Sequence, residues 1–121
     1  MSHAFELGLV TFTGNADCDL STKQYYAVLI GANENIILAS DAGAEMIGVL
    51  QDEPNAVDVA CLVAKGGITK AVGSTSIAAG AKVGVASGGR FCTYASGGVA
   101  GYAHTACGGS DQLFSLDITR S

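Results

Sequence analysis

Residues 47–63 carry the clearest structural signal in the chain, with the sequence I-G-V-L-Q-D-E-P-N-A-V-D-V-A-C-L-V. A short apolar run comes first, residues 52–55 (D-E-P-N) follow, and the chain then returns to apolar and β-branched residues. Apolar runs on both sides of Asp, Pro and Asn are typical of two strands joined by a turn. The stretch therefore predicts a strand, a loop and a second strand.

The same layout returns later in the chain. Gly48 and Gly101 each follow an apolar residue, Asp58 and Asp111 each precede an apolar run, and both pairs are 53 positions apart (101 − 48 and 111 − 58). Two interpretations are open. A duplicated β unit explains the spacing, and so does the turn chemistry that all glycine-rich hairpins share.

Extending the spacing of 53 tests the duplication on other residues. It aligns Val63 with Leu116, and it aligns Leu29-Ile30-Gly31 with Lys82-Val83-Gly84. These matches are partial, because they consist of glycines and hydrophobic residues.

Composition limits the class of protein. The chain has 121 residues, enough for one domain, and 14% of them are charged, against roughly 25% in ordinary soluble domains. A weakly charged surface on so small a body favours an assembly. The net charge of −5 argues against binding a nucleic-acid backbone. No apolar run reaches the length of a membrane span and no leader pattern opens the chain, so we expect a protein made in the cytoplasm.

Seventeen glycines and one proline favour tight turns over helices. The sequence predicts an all-β fold, a small antiparallel β-barrel or sandwich with short strands, glycine-rich turns and little or no helix. Residues 1–13 form an N-terminal arm and residues 14–121 a single β domain. Strands are expected at residues 24–30, 36–40, 46–50, 57–63, 68–72, 82–86, 90–95, 99–105 and 112–118.

The arm is the candidate interaction segment. Phe5, Leu7, Leu9 and Phe12 carry it, and Pro54 in the turn is a fifth candidate contact. We expect residues 2–13 to leave their own domain and to lie against a neighbouring subunit or a larger surface, with packing on their own domain as the alternative. If they leave, deleting residues 2–12 should not lower the melting temperature.

No pattern in the sequence predicts catalysis, a cofactor or a metal. The four cysteines have no zinc spacing, and we expect free thiols in a reducing compartment. The glycines at 66–67 and 88–89 do not open a phosphate-binding loop. His3 and His104 have no partner by spacing, and Asp52 and Glu53 are neighbours whose side chains point apart.

Five segments resemble the small capsid cement, or head decoration, proteins of tailed bacteriophages. They are D-L-S-T-K-Q-Y-Y-A-V-L-I (19–30), I-G-V-L-Q-D-E-P (47–54), G-G-I-T-K-A-V-G (66–73), S-I-A-A-G-A-K-V-G-V (76–85) and G-Y-A-H-T-A (101–106) with the terminal strand. The resemblance implies a structural protein, not an enzyme, on the outer capsid surface of the virion. It implies the major capsid protein as partner and self-association, as a homotrimer ahead of a dimer.

A lipoyl or biotinyl carrier domain is the alternative. Residues 68–71 (I-T-K-A) and 78–83 (A-A-G-A-K-V) resemble such a domain, in which a hairpin lysine, here Lys70, carries the cofactor. Lys70 lacks the acidic or methionine neighbours of those domains, and the first 45 residues would be surplus.

Overall fold

The computed structural model describes residues 7–32 and 34–118, and the all-β prediction is confirmed. The described helical geometry is a single 3-10 turn at Ser87–Gly89. The strands are β1 Leu7–Asn15, β2 Ala27–Ile30, β3 Ile36–Leu38, β4 Gly48–Leu50, β5 Ala60–Val72, β6 Lys82–Val85, β7 Phe91–Thr93, β8 Val99–Ala103 and β9 Leu113–Ile118.

The nine strands form one antiparallel sheet. Its order is β3-β2-β4-β5-β9-β8-β6-β7, and β1 pairs with β5 outside this path. Two parallel bridges, Ala16 with Ile36 and Gly73 with Phe91, join the ends of each half of the sheet. The sheet is therefore bent so that each half closes on itself like a small barrel.

The strand β5 differs from its prediction. Strands were expected at 57–63 and 68–72 with a break at the glycines, but Ala60–Val72 is one strand of 13 residues. Gly67 has φ of 84°, which L-residues with a side chain rarely adopt, so the strand bends there without ending. Pairing with β1 continues across it, and pairing with β9 begins at it.

The chain consists of two copies of one five-strand unit. We call β1 to β4 with the first half of β5 repeat 1, and the second half of β5 with β6 to β9 repeat 2. Each ladder of repeat 1 has its counterpart in repeat 2: Val28–Leu38 and Val83–Thr93, Val28–Gly48 and Val83–Gly101, Val49–Ala64 and Tyr102–Asp117, and Thr13–Leu62 and Lys70–Ser115. The strand β5 ends one unit and begins the next.

The spacing between counterparts changes along the chain. It is 53 for β4 with β8, as the sequence indicated, but 55 for β2 with β6. The alignment of Leu29 with Lys82 is therefore two residues out of register. The cause is the connection after β3, which takes ten residues from Leu38 to Gly48, against eight from Thr93 to Gly101.

Each repeat has its own hydrophobic core, and the second core extends into the first repeat. The core of repeat 1 consists of Ala16, Leu20, Val28, Ile36, Leu50, Cys61 and Val63. In repeat 2, Phe91 and Phe114 meet edge to face with centroids 6.3 Å apart. Ala27, Ala39, Val49 and Ala64 of repeat 1 are fully buried in that same second cluster. The face of repeat 1 that carries these four residues is thus covered by repeat 2 of the same chain.

Candidate interaction surface

The loop after β1 and the loop before β5 lie together at one end of repeat 1. The Leu20 N–H donates to the Pro54 carbonyl (2.8 Å), and the Asp58 N–H donates to the Ala16 carbonyl (2.8 Å). Repeat 2 makes the corresponding bonds, from Ile77 to Cys107, 3.1 Å, and from Asp111 to Gly73, 2.7 Å. Asp58 and Asp111 share positive φ angles, 66° and 61°. The two ends therefore have the same backbone.

The side chains at these two ends differ. In repeat 1, Val57, Val59 and Leu62 are 60%, 36% and 38% exposed. Their counterparts in repeat 2, at a spacing of 53, are Ser110, Gln112 and Ser115. Because the same backbone carries polar residues there, folding does not require apolar ones at the first end. Apolar side chains exposed without a structural need indicate a contact with another molecule.

The acidic residues show the same contrast. Asp17 and Asp19 lie in the loop after β1, and Asp52 and Glu53 lie in the loop before β5. Their counterparts in repeat 2 are Ser74 and Ser76, at the spacing of 57 set by the bridges Ala16–Ile36 and Gly73–Phe91, and Thr105 and Ala106, at the spacing of 53. We call Val57, Val59 and Leu62 together with these four acids the end surface. Exposed apolar side chains on the same loops as charged ones are typical of a protein–protein interface.

Hydrogen bonds hold two of the acids in place. The Leu62 N–H donates to both carboxylate oxygens of Asp52 (3.2 Å each), where the Ser115 N–H of repeat 2 donates to the Thr105 hydroxyl (2.9 Å). Asp19 accepts from Ser21, and these bonds lower the pKa of the Asp19 carboxyl. Burial, and then the nearby Asp52 charge, raises the pKa of the Cys61 thiol beneath the surface. The end surface therefore carries two carboxyl groups that hydrogen bonds hold in position.

The structure places four of the five predicted contact residues. Leu7, Leu9 and Phe12 lie on β1, which pairs with β5 of the same chain, whereas these residues were predicted to leave the domain. The half-buried Phe12 packs against the core of repeat 1. Pro54 is buried under the end surface, although its turn was expected to be solvated. Phe5 lies outside the described residues.

Lys70 does not have the position that a carrier domain requires. It lies inside β5, paired with Ser115, and its Nζ is 5.9 Å from the centroid of the Tyr25 ring. A carrier lysine needs an exposed hairpin turn, which residues 68–72 do not form.

Other candidate groups are scattered. All four cysteines are free thiols, with Cys61 and Cys107 buried and Cys18 exposed. His104 is exposed, and its backbone N–H donates to the Ser115 carbonyl (2.7 Å). Among residues 7–32 and 34–118, no cluster of three metal-ligating side chains occurs, and no helix is long and apolar enough to span a membrane.

The end surface was not among the sites predicted from the sequence. Val57 and Val59 fall in the same alternation as the core residues Cys61 and Val63, so the pattern made them look buried. Comparing the repeats residue by residue at a spacing of 53 would have shown Val57 opposite Ser110. This change from an apolar to a polar residue at equivalent positions was the signal of the end surface that the sequence contained.

Fold and surface together define an all-β protein of two tandem barrel-like units with one distinctive end. No family model matches the sequence, and no curated protein matches it. Among solved structures, the chain is similar to the N base of the head fiber gp8.5 of bacteriophage phi29, with a TM-score of 0.68 at 20% identity. The match covers 94% of this chain and 97% of that one, so the two chains share a fold over nearly all of their residues.

Proposed function

We propose that this protein is a decoration protein, which binds the outer surface of an expanded phage head and stabilises it. Two independent observations support the proposal. The fold is shared over 94% of the chain with a protein of a phage head fiber, and five sequence segments resemble capsid cement proteins. The binding partner is the major capsid protein, and the protein itself assembles as a homotrimer or a dimer.

The observation that carries the proposal is the end surface. Three apolar side chains are exposed there at positions that are polar in repeat 2. Burying each against a partner contributes roughly 1.5 to 3 kcal/mol when burial is complete, and less for side chains already partly covered. The four acidic residues then select a partner site flanked by lysine or arginine.

Such a protein stabilises the head by mass action. A ligand that binds the expanded shell, and not the unexpanded one, lowers the free energy of the expanded form at every occupied site. No chemistry is needed, and the effect grows with the number of sites.

The test exchanges the end surface for its own counterpart. A variant with Val57→Ser, Val59→Gln and Leu62→Ser places the residues of repeat 2 on the matching backbone, so it should stay folded. We expect the wild type to co-sediment with expanded empty heads and not with unexpanded ones, and the variant to bind at least ten-fold more weakly. Leu113→Ser is the matched control, because Leu113 is also 38% exposed but lies outside the end surface.

Two results would overturn the proposal. Wild-type protein that binds neither form of the head contradicts the function itself. A triple variant that binds as tightly as the wild type, or a control that loses binding equally, contradicts the role of the end surface.

A further inference from the structure

The outer edge of β1 has backbone groups directed away from the sheet. On β5, the Leu62 carbonyl accepts from the Gln51 N–H (2.8 Å) and the Leu62 N–H donates to Asp52, so both groups face β4. Thr13 pairs with Leu62 across the β1–β5 ladder. In an antiparallel pair of this kind the two residues direct their backbone groups away from each other. The N–H and carbonyl of Thr13 therefore point outward, and those of Thr11 and Asn15 follow by alternation.

Repeat 2 has the same edge, and there it is occupied. On the first strand of each repeat the spacing is 57, since Thr13 corresponds to Lys70. The counterparts of Thr11 and Asn15 are therefore Ile68 and Val72 on β5. Ile68 pairs with Leu7 of β1, and the Val72 N–H donates to the Tyr25 carbonyl (3.1 Å). The five-strand unit thus has a position for one more extended segment on its first strand. In repeat 1, β3 fills the C-terminal end of that position, where Ala16 forms a parallel bridge with Ile36 and the Asp17 N–H donates to the Ile36 carbonyl (2.9 Å). None of the described residues pairs with the outward groups of Thr11 and Thr13.

The β1 edge lacks the usual protection against pairing with another chain. Exposed edge strands commonly carry a lysine, a proline or an inward-pointing charge. The sequence of β1, L-G-L-V-T-F-T-G-N, contains neither a charge nor a proline. Thr11, Thr13 and Asn15 are exposed. Nothing in their side chains opposes a second strand.

We propose that the β1 edge binds the β1 edge of a second copy of this chain, antiparallel about a two-fold axis. An uncharged edge is self-complementary, because two antiparallel copies offer each other the same donors and acceptors. A charged partner would find no matching charge on β1, whereas a second copy needs none. This inference rests on the self-association in the proposed function and specifies it as a dimer that continues the sheet.

The dimer leaves the end surface free. Thr11 and Thr13 lie within β1, and the end surface begins beyond Asn15, where the chain turns into the loop that contains Asp17 and Asp19. Two copies joined at β1 therefore present two end surfaces, and two linked contacts bind a shell more tightly than one.

The experiment measures the mass of the free protein by light scattering across a dilution series, without heads. We expect wild type at twice the chain mass of 12.1 kDa. Thr13→Pro removes one outward N–H from each copy and should weaken the dimer by about 10- to 100-fold. Thr13→Val keeps the N–H and the strand preference, so it should remain dimeric.

Hydrogen exchange on the wild-type protein gives a second readout that needs no variant. The amides of Thr11 and Thr13 should exchange slowly at high concentration and faster on dilution, while the Phe12 amide, which faces β5, stays protected at both. A wild type that is monomeric or trimeric, or edge amides whose exchange ignores concentration, would overturn the dimer. Because no capsid is present, this outcome is separate from failure of head binding.

Discussion

Gly48 and Gly101 show at the scale of single residues why the two repeats have glycine at the same place. A Cβ atom on Gly48 would overlap the carbonyl oxygen of Ala64, and one on Gly101 would overlap that of Asp117. Both glycines therefore allow two strands to approach more closely than any side chain permits. The spacing of 53 between Gly48 and Gly101 thus reflects one steric requirement that both repeats share.

Gly48→Ala should lower the free energy of unfolding by about 1–3 kcal/mol, because the added methyl group must displace the backbone of β5. Chemical denaturation monitored by circular dichroism measures the change. Gly109→Ala is the control, since a Cβ at Gly109 meets nothing within 4 Å, and it should change stability by less than about 0.5 kcal/mol. Equal stability of the two variants would contradict the steric explanation.

The described lysines lie over aromatic rings and form no ion pair with the end surface carboxylates. Lys23, Lys65, Lys70 and Lys82 each lie over an aromatic ring, with Lys82 nearest at 4.5 Å from the centroid of Tyr94. Within the part of the chain that the structure describes, the one salt bridge joins Arg90 and Asp111 in repeat 2. The acids of the end surface form no ion pair there, which leaves their charge available to a basic partner.

At the scale of elements, β1 is the clearest difference between sequence and structure. Residues 7–13 were predicted as part of an arm that leaves the domain, because a pattern of apolar residues cannot say which sheet a segment joins. The structure pairs Leu7–Asn15 with β5 and packs Phe12 against the core of repeat 1. A terminal position alone therefore does not make a segment a free arm.

Deleting residues 2–12 should consequently destabilise the protein. The deletion removes most of the β1–β5 ladder and exposes Cys61 and Val63, so we expect a melting temperature at least 5 °C lower, or no folded state. Differential scanning calorimetry decides between this result and the unchanged melting temperature that a free arm would give. Deleting residues 2–5 alone is the control, because it leaves β1 intact, and it should have little effect.

Other elements were predictable because their signals are local. Turn glycines and alternation located β2, β3, β4, β6, β7, β8 and β9 to within a few residues, and the spacing of 53 gave the correct counterparts in β4 and β8. The continuity of β5 was not predictable, because glycine both breaks strands and bends them. The end surface was hidden because its valines have the parity of core residues.

On the scale of the whole molecule, the two repeats depend on each other. They share β5, and Ala27, Ala39, Val49 and Ala64 of repeat 1 are buried in the core cluster of repeat 2. Their counterparts Lys82, Tyr94, Tyr102 and Asp117 face outward or are half-exposed. Repeat 1 alone would expose an apolar face that repeat 2 does not have.

The full chain should therefore unfold in one cooperative transition, with a calorimetric enthalpy equal to the van't Hoff enthalpy. Residues 1–65 expressed alone should show no such transition. Two separate transitions in the full chain would mean that the repeats are independent domains.

The pairing at the middle of β5 brings the two described ends of the chain together. Leu7 and Asp117 both pair with Ile68, one on each side of it, so they are two strand spacings apart, about 10 Å. A short linker could close the polypeptide into a ring, and new termini could then be cut at the exposed turn around Gly80, where a Cβ meets nothing. The order of elements along the chain is in this sense separable from the architecture, because the first and the last described strands meet at the same residue of β5.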